Sequence, residues 1–173
     1  MQPIVRRVLA VAWLVWLLDA LSKNLAQRFL EGSEPKPLLG NFLKLSFTKN
    51  SGAAFSFVEN GSVLLGAFAV LAIFVIAYWT PKINSIAWAM VFGLVLGGTL
   101  GNLTDRVFRS GSGFLNGKVI DWIELSHWPI FNLADSAIVV AALLATGLSI
   151  RNISPISRPG TDSKPDKEPD LHA

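Results

Sequence analysis

The sequence predicts a membrane α-helical protein: a bundle of four transmembrane helices with a small β element outside the bilayer, built as one domain. Three observations lead there. Hydrophobic residues make up 51% of the 173 and charged ones 16%, a membrane-like composition at the length of a single domain. No charge occurs between Glu59 and Lys82, or between Lys82 and Asp105, and each gap exceeds the roughly 20 residues that cross the hydrocarbon as a helix. Residues 41–49, Asn-Phe-Leu-Lys-Leu-Ser-Phe-Thr-Lys, alternate apolar and polar, which is strand periodicity.

Taken in order, the first span runs from about 8 to 22, between Arg6-Arg7 and Lys23. It is short, so the flanking basic side chains are expected to reach back to the headgroups. An Asp and a Lys stand where a signal peptide would place a small-residue cleavage site, so the segment reads as a retained span. The loop from about 23 to 60 begins as a helix continuation and breaks at Glu34-Pro35-Lys36-Pro37. It then supplies the β element, about 38–58, with Asn50-Ser51-Gly52 as a turn and Ala53-Ala54-Phe55-Ser56-Phe57 as a return strand. Spans two and three are expected at about 61–80 and 83–104. The loop from about 106 to 130 opens Gly- and Ser-rich and turns apolar and aromatic, which suits the membrane surface. The fourth span, about 132–150, holds Asp135 as its one charge. Residues 151–173 are rich in proline and in both charges and read as a disordered tail on a 1–150 domain.

Several function classes drop out. The net charge is +3, with no basic run or aromatic ladder for nucleic acid. With no Cys there is no disulfide framework, thiol nucleophile or zinc-thiolate site. His127 has no ligand partner at metal-site spacing, so no metal is expected. Ser22 and Lys23 are adjacent on a helix and point in different directions, which suits a nucleophile–base pair poorly. Arg6, Lys82 and Arg151 lie close against span ends on one side; the opposite basic residues sit largely in long loops, where the positive-inside rule is weak. Both termini are therefore expected in the cytoplasm.

The acids carry the chemistry. Asp19, Asp105, Asp121 and Asp135 all lie at the margins of apolar runs, and four spans would bring them to one side of the bilayer. A carboxylate in such a place is a functional-site hypothesis. Each also has a plainer account. Asp19 and Lys23, four apart, suit an interfacial ion pair; Asp105 and Arg106 suit a headgroup anchor; Asn132 suits an N-cap with Asp135 in the first helical turn. The stripe Ala89, Gly93, Gly97, Gly101 is explained by close helix packing. Beside it, Gly98, Asn102 and Asp105 share a face. The most economical chemistry is an aspartate pair, in which one carboxylate takes a proton from water while the other, protonated, donates to a carbonyl oxygen. The rival class is a small proton-coupled transporter or assembly factor; transporters often show internal repeats, and this sequence shows none.

Five blocks in order resemble lipoprotein signal peptidase, also called signal peptidase II, an intramembrane aspartic peptidase family of bacteria. They are Asp19 with Lys23; Asn50-Ser51-Gly52-Ala53-Ala54-Phe55; the run Gly97-Gly98-Thr99-Leu100-Gly101-Asn102-Leu103-Thr104-Asp105-Arg106; Val119-Ile120-Asp121; and Phe131-Asn132-Leu133-Ala134-Asp135. The resemblance implies Asp121 and Asp135 as catalytic dyad. It implies Asp19, Lys23, Asn50, Gly98, Asn102, Arg106 and Asn132 as substrate-binding or site-supporting residues, and Asp105 as a structural acid. It further implies that the β element is an extracytoplasmic cradle, that the loop between spans three and four holds a surface helix, and that no cofactor is needed. The implied substrate is a prolipoprotein carrying diacylglycerol on its lipobox cysteine, cut on the amino side of that cysteine. The implied setting is the bacterial inner membrane, with the active site near the extracytoplasmic face, membrane lipid as surroundings and a monomer as the working unit. Two departures stand out: Trp122 where Phe is common, and a long Gly-rich stretch at 109–118.

Overall fold

The structure, a computed structural model, describes residues 2–52, 61–109 and 113–156. Its elements run α1 (Pro3–Leu30), β1 (Lys36–Leu39), β2 (Leu43–Asn50), α2 (Gly61–Trp79), a 3-10 turn (Thr80–Lys82), α3 (Ile86–Phe108), β3 (Val119–Leu125) and α4 (Leu133–Ile150).

Helix boundaries follow local chemistry. Pro3 opens α1 where a missing N–H costs nothing, and no breaker occurs until Gly32, which takes φ +76° beyond the helix end. The helix therefore continues past the expected 8–22 span. Ser85 caps α3 by accepting from the Trp88 N–H, so α3 starts three residues later than the expected 83. Asn132 caps α4 in a reciprocal box with Asp135, as its position before an apolar run predicts.

Among the described residues three helical stretches are long and apolar enough to cross a membrane: Gly61–Lys82, Ile86–Phe108 and Leu133–Ile150. The first helix, α1, bears Arg6, Arg7, Asp19, Lys23 and Arg28 and is not among them. It nevertheless lies along α3. A Cβ on Gly93 would stand 2.6 Å from Val11 Cβ, and one on Gly97 2.6 Å from Val15 Cβ and 2.7 Å from the Ala12 carbonyl. Numbers rise together on the two helices, so they run parallel, and the small-residue stripe is what lets them meet. Val8, Ala12, Ile76, Ala89 and Leu96 form the apolar core at one end of the bundle.

The other end carries a three-stranded antiparallel sheet in the order β1-β2-β3. Its inner face packs Ile120 against Ala26 and Leu30 of α1, with Leu45, Phe47 and Trp122 around them. Thus β3 comes from the loop between α3 and α4, where a surface helix was expected. No helix occurs among described residues 113–130, because Val119-Ile120-Asp121-Trp122-Ile123 is rich in β-branched and aromatic residues and finds in β2 an edge to pair with, from Asn50↔Val119 to Leu43↔Leu125. The expected return strand at 53–57 lies outside the described residues, as does the tail from 157 onward. Residues 151–156, assigned by sequence to the tail, turn back onto the base of α3: the Trp88 indole donates to the Ile153 carbonyl and the Asn84 N–H to that of Pro155.

Candidate active site

The four acids named from sequence meet where α1, α3, α4 and β3 come together. Asp121 points from β3 and is 2% exposed. Its Oδ2 accepts from Asn50 Nδ2 at 2.9 Å and its Oδ1 from Asn132 Nδ2 at 2.6 Å. Asp135, in the first turn of α4, accepts from Asn102 Nδ2 at 2.8 Å and from the Asn132 N–H at 3.2 Å. Asn132 Nδ2 also reaches Asn102 Oδ1 at 3.2 Å, so three carboxamides and two carboxylates form one connected network.

The orientation of each amide follows from an unambiguous donor on its oxygen. The Gly52 N–H binds Asn50 Oδ1 at 2.7 Å, the Asp135 N–H binds Asn132 Oδ1 at 3.0 Å, and the Lys23 ammonium binds Asn102 Oδ1 at 2.9 Å. Neither an ammonium nor a backbone N–H can accept, so all three NH2 groups must face the acids. Burial raises the Asp121 pKa to about 6 against the pull of the Asn50 hydrogen bond, and the nearby charge of Asp135 raises it further, while the Asn132 hydrogen bond and the charge of Lys23 oppose. A carboxyl in that range holds or releases a proton close to neutrality, as acid–base work requires. Asp135, at a helix N-terminus, sits where a negative charge is stabilised by the helix dipole.

Behind this network lies a buried ionic cluster. Lys23 is fully enclosed, and its ammonium contacts Asp19 Oδ2 at 2.7 Å and Asp105 Oδ2 at 3.0 Å besides Asn102. Asp19 also accepts from the Ala134 N–H at 2.9 Å, and Asp105 from the Ile120 N–H at 3.1 Å and from Arg109 Nε. So Asp19 and Lys23 are no exposed interfacial pair: side-chain exposures of 1% and 0% exclude the anchoring account. Asp105 ties α1, α3 and β3 together. Gly98 lets α4 approach, since a Cβ there would lie 2.5 Å from the Ala134 carbonyl and 2.8 Å from Ile138 Cγ1. Arg106 is buried, donates to Ser62 Oγ at 2.7 Å at the start of α2, and lies within electrostatic reach of Asp121, Asp105 and Asp135.

Some residues escaped the sequence reading. Ser62 joins Arg106 to the Leu115 and Gly117 carbonyls. Gly117 lies against the end of α3, where a Cβ would fall 2.3 Å from the Asp105 carbonyl. Arg109 also reaches Gln27 and Asn24 of α1. No local signal marks Ser62, or the reach of Arg109 to α1, because these partners lie more than 40 residues away along the chain; only the four-residue spacing of Asp105 and Arg109 was local. Asn102, by contrast, belonged to a readable pattern, the Gly98–Asn102–Asp105 face, as Asn132 did to an N-cap. The departure Trp122 packs beside the Ala26–Leu30–Ile120 cluster, and alternation along β3 separates its face from that of Asp121. His127 occupies the exposed turn after β3, hydrogen-bonded to Ser126.

Comparison with known proteins identifies the family. Residues 11–151 match the family model described as signal peptidase (SPase) II. A lipoprotein signal peptidase of Streptomyces coelicolor is 44% identical over 84% of this chain and 71% of its own length. One from Mycolicibacterium smegmatis is 37% identical over 92% of this chain and 69% of its own. A solved structure described as a bacterial membrane enzyme superposes with a TM-score of 0.74 at 22% identity, covering 84% of this chain and 93% of that one; at that identity it supports the fold alone. With the family match running from α1 to the end of α4, the chain belongs to the signal peptidase II family.

Proposed function

We propose that this chain is an aspartic endopeptidase that removes the signal peptide from diacylglyceryl-modified prolipoproteins, with Asp121 and Asp135 as its catalytic dyad. The observation that carries the reading is the convergence of two carboxylates from separate elements, β3 and α4, on one amide network at the sheet end of the bundle. One carboxylate takes a proton from water, whose oxygen adds to the scissile carbonyl carbon. The other donates its proton to the carbonyl oxygen. Collapse of the tetrahedral intermediate breaks the C–N bond, and the amine of the lipidated cysteine leaves with a proton returned from the dyad. Asp135 acts as base, by its place at the helix N-terminus, and Asp121 as acid.

The chain crosses the inner membrane four times. A helix in parallel contact with α3 from Val11 to Lys23 shares its depth, and the charges of α1 toward its second half are enclosed by protein or lie near its end. Both termini are cytoplasmic, with Arg6, Arg7, Lys82 and Arg151 at that face. The acids and the β1–β3 sheet then lie at the extracytoplasmic headgroups, where a lipid-anchored peptide presents its cleavage site, and the anchor supplies part of the positioning that catalysis needs. The working unit is a monomer in membrane lipid.

The test is to incubate purified protein in detergent or bilayers with matched precursors, one diacylated and one with a free cysteine. Signal-peptide release is expected from the diacylated form, with the unlipidated form a poor substrate. Equal turnover of both at equal surface concentration would overturn the lipid requirement, and cleavage of neither would overturn the assignment.

A further inference from the structure

The buried ammonium of Lys23 donates a hydrogen bond to Asn102 Oδ1 and lies at ion-pair distance from Asp19 Oδ2 and Asp105 Oδ2. What each of those three partners holds in turn bears on the proposed dyad. Asp19 accepts from the N–H of Ala134, the residue immediately before Asp135. Asp105 accepts from the N–H of Ile120, the residue immediately before Asp121. Asn102 donates to the Asp135 carboxylate itself and accepts from Asn132, whose amide also binds Asp121. From one cation, therefore, two routes lead to Asp135 and two to Asp121.

We propose that Lys23 is the positioning residue of the dyad, a single buried cation that sets the spacing of the two aspartates and keeps the Asn102 amide facing Asp135. This rests on the reading of Asp121 and Asp135 as catalytic. Without the ammonium, Asp19 would lose its cation and Asp105 would keep only Arg109, and the strand and helix that present the acids would lose a common anchor. The Asn102 amide would lose the donor that fixes its orientation. Enclosing a cation is costly unless it is fully paired. Here the pairing comes from groups that reach on to Asp135 itself or to the residue just before each proposed catalytic acid. The charged groups around the cluster are Asp19 on α1, Asp105, Arg106 and Arg109 on α3, Asp121 on β3 and Asp135 on α4. The hydrogen-bonded connections from Lys23 to Asp121 and Asp135 are the relays just described, and its charge also acts on Asp121 through space.

A positioning role is distinguished from simple packing by where the loss appears. In Lys23→Met, kcat should fall by about 10²-fold or more, in the range of a displaced acid–base group, with KM held within about threefold. Because Lys23 acts partly through Asn102, Lys23→Met combined with Asn102→Leu should be little worse than the more damaging single change. Multiplying losses, or a kcat within threefold of wild type in folded Lys23→Met, would overturn the proposal.

Since loss of a buried cation can also prevent folding, Asn102→Asp supplies an independent arm. It keeps the shape and the contact with Lys23 but turns an oxygen instead of an NH2 toward Asp135. A kcat loss of about 10²-fold at unchanged KM supports the proposal; near wild-type turnover overturns it. Asp121→Asn and Asp135→Asn in the same assay separate the two readings. If they retain cleavage the dyad assignment fails, whereas if they are silent while Asn102→Asp turns over normally, the positioning inference alone fails.

Discussion

At the scale of the residue, the chemistry rests on two acids in unlike surroundings. Asp121 is enclosed by β3 and two amides; Asp135 stands in the first turn of a helix. Replacing either by Asn keeps shape and removes proton transfer, so cleavage by folded protein should fall roughly 10²–10⁴-fold or more. The double change should be little worse than either single one; peptide release by each variant measures this. The raised pKa of Asp121 also predicts a pH-dependent stability. A carboxyl titrating at about 6 when folded, against an ordinary value of 3.8, binds its proton more tightly in the folded protein than in the unfolded chain. Its neutral form is therefore tolerated fully below pH about 4, and the folded state loses stability as pH rises toward 6. Measured against wild type, the stability of Asp121→Asn should therefore rise with pH across that window and level off above it, the change having a ceiling of roughly 3 kcal/mol at about 1.4 kcal/mol per unit. Thermal unfolding in detergent between pH 4 and 8 gives the comparison; a difference independent of pH would contradict it.

At the scale of the element, glycine contacts decide how closely the helices that carry the acids can meet. Gly98 is in contact with the first turn of α4, and a methyl group there meets the Ala134 carbonyl at 2.5 Å, one residue before Asp135. Gly98→Ala should therefore cost roughly 1–3 kcal/mol through overpacking and lower cleavage more than that loss of folded protein explains. Gly147, on the same helix α4, has nothing within 4 Å of its added Cβ, so Gly147→Ala should leave turnover unchanged and not lower the melting temperature. Paired melting curves and activity per folded molecule separate the two. The sheet repeats the lesson in backbone form. Because β3 pairs with β2 through Asn50↔Val119 and Thr48↔Asp121, the turn after β2 and the proposed acid of β3 are fixed in one register, which is how Asn50 reaches Asp121.

At the scale of the whole molecule, the helix ends sort to two faces. One holds the start of α1, the end of α2 and residues 151–156; the other holds the sheet and the acids. With no native cysteine, single cysteines report this directly. Gln2→Cys should be labelled by an impermeant maleimide only from the cytoplasmic side of oriented vesicles, and Ser33→Cys only from the other; the reverse pattern would invert the proposed orientation. Truncation after Arg158 should leave activity nearly intact, since the removed segment is polar and proline-rich. Truncation before Asn152 should lower thermal stability, because it removes the carbonyls that Trp88 and Asn84 bind.

Taken alone, the sequence determined the helical class, the apolar helices around 61–80 and 132–150, and the identities of all four acids, because uncharged runs, capping residues and helical spacing are local signals that need no partner. It also placed Asn102 on the face of Gly98 and Asp105. Tertiary structure decided what no local pattern encodes. Val119–Leu125 became a strand because β2 offered it an edge, where the loop had been expected to hold a helix. Asp19 and Lys23, whose four-residue spacing by itself favours an interfacial ion pair, became fully enclosed because α3 and α4 close over them. Arg106 found Ser62 as a hydrogen-bond partner because the start of α2 lies beside it. The direction in which each amide faces was likewise beyond the sequence: it depends on donors from Lys23, Gly52 and the Asp135 backbone, and the decisive one for Asn102 comes from another helix 79 residues away.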